Sequence, residues 1–407
     1  MQYLPRWITS RFQEAVADHP VVILTGARQV GKSTFLRHAS PMQAWRYLTL
    51  DDFDTLEQAQ RDPRALLAGK VPLVLDEVQR EPRLLSAVKQ SVDESRSERR
   101  FVLSGSANLL LLQQISESLA GRAVYLTLGP MTVGEVLQQP PSPLLNELMA
   151  GNMPVESSST APEVDLPKLI WRGMMPPLLT MPREVAALRW WEGYVATYLE
   201  RDLRQLSQIE SLADFRRVMI AAALRCGHIL NQTELAQDVG VSQSTAHRYL
   251  NLLEATHLLL RLPAYARNRT KRLMKRPKVF WADTGLAAFL AGEYDSDSLH
   301  QSPLWGHLFE SFILHHLSIW SQLQVPQPRL HYWRTTSGHE VDFVIEHGSR
   351  LLAVEVKATS EVRYADVQTL RLFLTEYPEA ACGVLCYGGD EIRRLDTRIL
   401  AVPWYLL

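Results

Sequence analysis

Cysteine is scarce in this chain: Cys226, Cys382 and Cys386 are the only three in 407 residues. They form no C-x-x-C pair and have no histidine at metal-ligand spacing, which excludes a disulfide-stapled scaffold and a structural zinc site. A reducing compartment and a packing role for the thiols follow. Long apolar runs are missing too. None approaches the roughly eighteen residues of a membrane-spanning helix, and Met1-Gln2-Tyr3-Leu4-Pro5-Arg6 lacks the charged and apolar regions of a secretion signal. The expectation is a cytoplasmic protein that makes no membrane contact. Net charge is nearly absent, with 43 Lys and Arg against 44 Asp and Glu, so any attraction to nucleic acid must come from a local basic patch. What the sequence does have is 46% hydrophobic residues and length for roughly two to four packed domains.

Val21, Val22, Ile23 and Leu24 form a β-branched apolar run that predicts a buried parallel strand. Gly26, Ala27, Arg28, Gln29, Val30, Gly31, Lys32 and Ser33 follow and fit G-x-x-x-x-G-K-[ST]. In that loop backbone N–H groups wrap phosphates, Lys32 reaches the β- and γ-phosphates and the Ser33 hydroxyl holds Mg²⁺. Thr34 to His38 then open a helix whose positive end faces the phosphates. The pattern predicts a nucleotide site for ATP or GTP.

Trp7, Ile8, Phe12 and Val16 suit a short helix before that strand. Trp45 to Leu50 predicts a second strand, and Val71 to Leu75 a third, with Pro72 tolerable only near its start. The third ends in Asp76-Glu77, the Walker B arrangement: Asp76 for the Mg²⁺ shell, Glu77 to orient or deprotonate the attacking water. Phe101 to Ser104 predicts a fourth strand, leading to Ser106 and Asn108, and Ala123 to Leu128 a fifth, preceded by Leu119-Ala120-Gly121-Arg122.

With Gln79, Glu81, Pro82 and the Gly129 to Glu135 turn, these segments resemble the prokaryotic AAA-type ATPases whose module is followed by a C-terminal domain of unknown function. The resemblance implies an α/β P-loop module over residues 1–137, using ATP and Mg²⁺. It implies a polar sensor on the γ-phosphate, with Ser106 and Asn108 as alternatives. It also makes Arg122 an arginine finger, acting in cis or on a neighbouring subunit of a homo-oligomer; a plain surface arginine beside a turn glycine is the other reading.

Residues 138–165, rich in Pro and Ser, predict a mobile linker carrying one short helix over 144–149. Arg172 occupies a position where relatives have glycine. Val185 to Ile209 predicts a long helix, containing the Glu200-Arg201-Asp202 hallmark. Gln232 to Leu250 reads as helix, glycine-centred turn at Gly240, and second helix capped by Ser242. Gln243, Ser244, His247 and Arg248 would face outward, the residue types that reach base edges and phosphates. A winged extension follows, with Arg267, Arg269, Lys271, Arg272, Lys275, Arg276 and Lys278 as the basic patch. Either DNA or a protein partner suits this module, assigned to residues 166–285.

In residues 286–407, Trp305 opens an amphipathic helix with Glu310, and two strands carry Asp342 and the pair Glu355 and Lys357. Alternation puts Val341, Phe343 and Ile345 on one face and Asp342 on the other. The pattern resembles the PD-(D/E)XK nuclease fold, which implies Mg²⁺ on Asp342 and Glu355, with Glu310 and Lys357 completing the site; a salt-bridged, inactive hairpin is the alternative. The whole predicts an ATPase coupled through a winged helix to a nuclease-like domain acting on DNA, or else a nucleotide-dependent switch acting on a protein.

Overall fold

The computed structural model describes residues 3–94, 99–105, 119–158, 160–197 and 209–407. Ser106, Asn108 and the Glu200-Arg201-Asp202 hallmark lie outside these residues. The N-terminal part begins with α1 (Thr9–Asp18), which buries Phe12, Ala15 and Val16 at helical spacing. Then come β1 (Val21–Thr25), α2 (Lys32–His38), β2 (Arg46–Thr49), α3 (Phe53–Arg61), β3 (Leu73–Asp76), α4 (Arg83–Glu94), β4 (Phe101–Ser104) and β5 (Ala123–Thr127). All five strands are parallel, in the order β2-β3-β4-β1-β5. β1, buried at every position, is internal because nothing in Val21 to Leu24 tolerates water. Pro72 falls just before β3, where its missing N–H costs no ladder bond.

The register aligns Thr25 with Thr127, Leu24 with Ser104 and Thr49 with Asp76. The C-terminal strand tips thus share one edge, where ligands of parallel α/β sheets bind.

Residues 138–165 differ from a mobile linker. Helix Leu144–Met149 buries Leu144, Leu145, Leu148 and Met149, and β6 (Ser157–Ser158) pairs with a strand near the C-terminus. Edge-strand pairing satisfies backbone groups that composition alone assigns to water.

The middle part is helical: α5 (Leu166–Arg172), α6 (Glu184–Tyr194), α7 (Leu212–Ala223), α8 (Gln232–Val239) and α9 (Gln243–Ala255). Gly240 ends α8 in the left-handed region at φ 71°, and the Ser242 hydroxyl caps α9 by accepting from Thr245 N. β7 (Leu259–Leu262) and β8 (Lys278–Trp281) then form an antiparallel hairpin that encloses α10 (Arg269–Met274). α11 (Thr284–Ala291), capped by Asp283 and buried over most of its length, closes this part.

In the C-terminal part α12 (Trp305–Leu323) and α13 (Gln368–Glu376) pack on a mixed sheet, ordered β6-β13-β14-β12-β11-β10-β9. Its strands are β9 (Arg329–Arg334), β10 (Glu340–His347), β11 (Arg350–Lys357), β12 (Cys382–Tyr387), β13 (Glu391–Asp396) and β14 (Ile399–Pro403). The strict alternation expected for β10 fails. A register shift between Val341 and Val344 sends Val341 to the cluster of Leu370 and Phe373, while Phe343 and Ile345 join that of Phe309. A bulge re-aims side chains in this way. One apolar cluster runs from Phe12 through Trp171, Phe215 and Leu253 to Phe343 and Val402, so the three parts share a core.

Candidate functional site

The loop between β1 and α2 is shaped by backbone conformations that few residues adopt. Gly26 has φ 142°, and a Cβ there would lie 2.1 Å from the carbonyl oxygen of Leu128; the adjoining strand leaves no room for a side chain. Gly31 caps α2 at φ 93°, and Gln29 is held at φ 69°. α2 begins at Lys32 rather than Thr34, so its free N–H groups point back into the loop.

Lys32 is buried, and its Nζ donates to the carbonyl oxygens of Gly26 and Ala27, each at 2.9 Å. Burial lowers its pKa to about 8, against the raising influence of Glu77 and Asp76. An ammonium held by two carbonyl oxygens at the N-terminal end of α2 can exchange them for phosphate oxygens. Ser33 follows it as the second residue of the same helix, half-buried.

Asp76 ends β3, with one oxygen accepting from the Tyr47 hydroxyl and the other from Glu77 N at 3.1 Å. The guanidinium of Arg37 covers the Tyr47 ring at 4.7 Å. Glu77 is held in the left-handed region at φ 58°, a strain found where a side chain must be aimed. Burial raises its pKa, assisted by the Asp76 charge and opposed by a hydrogen bond from Gln79. A carboxylate with raised affinity for a proton, two strands from the lysine, suits a general base.

At the tip of β4 the polar group among the described residues is Ser104, whose buried Oγ has no partner among them. Sequence reading passed it over in favour of Ser106 and Asn108. Arg122 does not reach the phosphate loop of its own chain. It precedes β5 at the N-terminal edge of the sheet, roughly 16 Å of strand from the loop, and forms a two-point ion pair with Asp93.

The middle part touches the loop directly. Tyr194 donates its hydroxyl to the Arg28 carbonyl at 3.3 Å, and Pro176 lies against Gly31. His257, at φ 57° in the turn before β7, has a buried Nε2 without a partner among the described residues. Burial first, and then the Lys32 charge, lowers its pKa to about 4. Tyr47, Tyr194 and His257 carried no motif and were missed. A cavity of about 440 Å³ flanks the loop, lined by Tyr3, Leu4, Val30, Thr34, Phe35 and Pro176 among others.

The outward face of α9 is as expected: Gln243, Ser244, His247 and Arg248 are exposed, with Arg248 reaching Glu210 at 3.2 Å. The basic run is not a free patch. Arg267 pairs with Glu379, and Arg272 makes a largely buried two-point pair with Glu346. Arg269 and Lys271 remain exposed on α10. Opposite charges on β10 and after α13 were too distant in sequence to be assigned to these arginines.

Glu310 and Asp342 converge, but around a lysine. Lys278 Nζ lies 2.6 Å from Glu310, 2.7 Å from Glu340 and 3.8 Å from Asp342. Asp342 also accepts from Val356 N at 2.8 Å. Glu355 pairs instead with Lys357 at 2.9 Å, leaving Oε2 buried without a partner among the described residues. The expected metal pair, Asp342 and Glu355, is therefore divided between two cations, and no group of three or more metal-ligating side chains among the described residues is placed to hold an ion.

Residues 18–137 match the family model of an AAA domain, 163–297 a domain of unknown function (DUF8612) and 305–407 another (DUF4143). The uncharacterised proteins Mb2031c of Mycobacterium bovis and Rv2008c of Mycobacterium tuberculosis are each 32% identical over 396 residues, spanning 97% of this chain and 82% of theirs. Among solved structures, similarity extends to the Walker-type ATPase PABY2304 of Pyrococcus abyssi, 18% identical with a TM-score of 0.47 over 71% of this chain and 96% of that one. It extends also to the RuvB Holliday junction branch migration motor of Thermotoga maritima, 17% identical with a TM-score of 0.31 over 67% and 96%. The chain carries an AAA-type P-loop domain and belongs to the family of these uncharacterised mycobacterial proteins.

Proposed function

We propose that this protein binds and hydrolyses ATP at the Gly26–Thr34 loop and uses the nucleotide state to change how its middle part holds DNA. The observation that carries the reading is Lys32, buried and turned onto the Gly26 and Ala27 carbonyls, with Glu77 strained into place at the tip of β3. The cavity beside Tyr3 and Phe35 is apolar and aromatic enough for a purine base, and ATP is the nucleotide that the AAA-type domain supports. Ser33 and Asp76 fit Mg²⁺: both are hard oxygen donors, and Asp76 is oriented by Tyr47 and the Glu77 N–H. Bound there, the ion would neutralise phosphate charge. Glu77 aligns the attacking water and accepts its proton, while Lys32 exchanges loop carbonyls for phosphate oxygens. The distance of Arg122 from its own loop and its pairing with Asp93 suit a surface arginine, or action on a second copy of the chain, better than action in cis.

Tyr194 on Arg28 and His257 near Lys32 link the loop to the middle part. The exposed face of α9, on a helix-turn-helix with a two-stranded wing, supports DNA as the partner. The C-terminal part, with its resemblance to the PD-(D/E)XK fold, receives the change. A second reading, a switch acting on a protein partner with an inert C-terminal part, is favoured by the engagement of Arg267 and Arg272 in ion pairs. ATP turnover measured with and without double-stranded DNA tests the two: stimulation that is lost in Arg248→Ala supports the first, and DNA-independent turnover with no DNA retention supports the second.

A further inference from the structure

Lys278 stands where the C-terminal fold resemblance would put a divalent metal. It is the first residue of β8, and its backbone is fixed from two sides: Leu262 is its partner in β7, and a bridge to Ile229 lies on the other. From there the side chain leaves the hairpin and enters the C-terminal part, where it is 3% exposed. Glu310 comes from α12, while Glu340 and Asp342 come from β10, so three carboxylates on two elements point at one ammonium.

The distances to Glu310 and Glu340 are those of charge-assisted contacts and not of metal ligation, while Asp342, 3.8 Å away, meets the ammonium through charge alone. Mg²⁺ needs oxygens at about 2.0–2.1 Å in octahedral array and keeps part of its water shell. Lys278 already occupies the space between Glu310 and Glu340 and stands beside Asp342. Glu355, which a metal would share with Asp342, is turned to Lys357. The residues do not fit a bound divalent ion while β8 is in place.

We propose that Lys278 is the resident cation of the C-terminal carboxylate cluster, excluding divalent metal and tying the β7–β8 hairpin to α12 and β10. The site is thereby closed by the element that connects it to the helix-turn-helix. This inference is independent of ATP hydrolysis and of DNA binding, and ATP turnover on the same preparations reports separately on those readings.

The test uses the full chain without nucleotide and Mn²⁺ as the probe, followed by Mn²⁺ titration and by thermal melting. Wild type is expected to show no Mn²⁺ binding that depends on Asp342, and Lys278→Arg, which keeps the cation, is expected to match it. Lys278→Met should melt several degrees lower in metal-free buffer and gain a Mn²⁺ site. Mn²⁺ should restore part of its melting temperature, and adding Glu310→Gln should abolish both effects. Wild-type Mn²⁺ binding that disappears in Asp342→Asn overturns the proposal, as does a folded Lys278→Met that gains no Mn²⁺ site. If Lys278→Met does not fold, the comparison of wild type with Asp342→Asn decides alone.

Discussion

Tyr194 reaches across 166 residues of sequence to donate its hydroxyl to the Arg28 carbonyl, 3.3 Å away in the phosphate loop. The bond fixes the loop from the side of the middle part. Removing one neutral hydrogen bond costs about 1 kcal/mol, so Tyr194→Phe is expected to weaken nucleotide binding by roughly three- to tenfold. A fluorescent-nucleotide titration reads this, and an unchanged melting temperature separates it from a folding defect.

Lys32 and Glu77 divide binding from chemistry. Lys32→Ala should abolish nucleotide binding, whereas Glu77→Gln should retain it and lose about 10²-fold or more in turnover, the usual scale for a lost general base. Because burial raises the Glu77 pKa, the base becomes protonated at higher pH than an ordinary glutamate. The acid limb of the turnover profile should therefore lie at higher pH than an ordinary glutamate gives and vanish in the residual activity of Glu77→Gln. Equal nucleotide affinities for the two variants would contradict this division.

Gly26 lies where a methyl group would overlap the Leu128 oxygen. Gly26→Ala must shift β5 or the loop and adopt an unfavourable φ, so a loss of stability above ~2 kcal/mol is expected. Urea unfolding measures it. Gly121, with open space around its Cβ position, carries only the conformational penalty and should lose less as Gly121→Ala.

His316 is required neutral by its own hydrogen bonds: Nδ1 donates to Phe312 O and Nε2 accepts from Val133 N at 3.1 Å. His315 donates to Met131 O beside it. Burial lowers their pKa values to about 4 and about 3; Arg6 further disfavours charge on His315, and Glu135 partly favours it on His316. The unfolded chain takes up these protons near pH 6.5 and the folded chain does not. Stability from this junction is thus complete above pH 6.5 and declines toward pH 4. Asp283, raised to about 6 by burial, works in the opposite direction, so the comparison is with His316→Gln. That variant should melt lower at pH 7.5 and lose less on acidification than wild type.

Arg248 and Arg272 should behave differently although both lie in the basic half of the middle part. Arg248→Ala is expected to weaken DNA retention and reduce the salt slope by about one. Arg272→Ala breaks a largely buried pair with Glu346 and should lower stability by about 3 kcal/mol, leaving the salt slope intact. Filter binding at several salt concentrations, with melting in parallel, checks both.

The features legible in the sequence are those encoded within one element or one turn. The phosphate loop, Asp76-Glu77, the Gly240 turn and the Ser242 cap need only neighbouring residues, and each forms where expected. Lys278 was visible as the end of a basic run, but its partners are 32 to 64 positions away, and charge alone does not reveal which acid it meets. The Val341 bulge was hidden because alternation assumes an unbroken ladder. Tyr47 and His257 carry no spacing signature; only the fold brings them to the loop.

The junction of His315 and His316 with the turn at Met131 and Val133 also imposes an order on synthesis. When residues 129–135 are added to the chain, the imidazoles that satisfy two of their backbone groups are still more than 180 residues from being translated. The nascent P-loop domain must wait with that turn in water until α12 emerges. Its final closure is therefore a late event, and a chain truncated before α12 would display an unfinished surface to the cell's folding and degradation machinery.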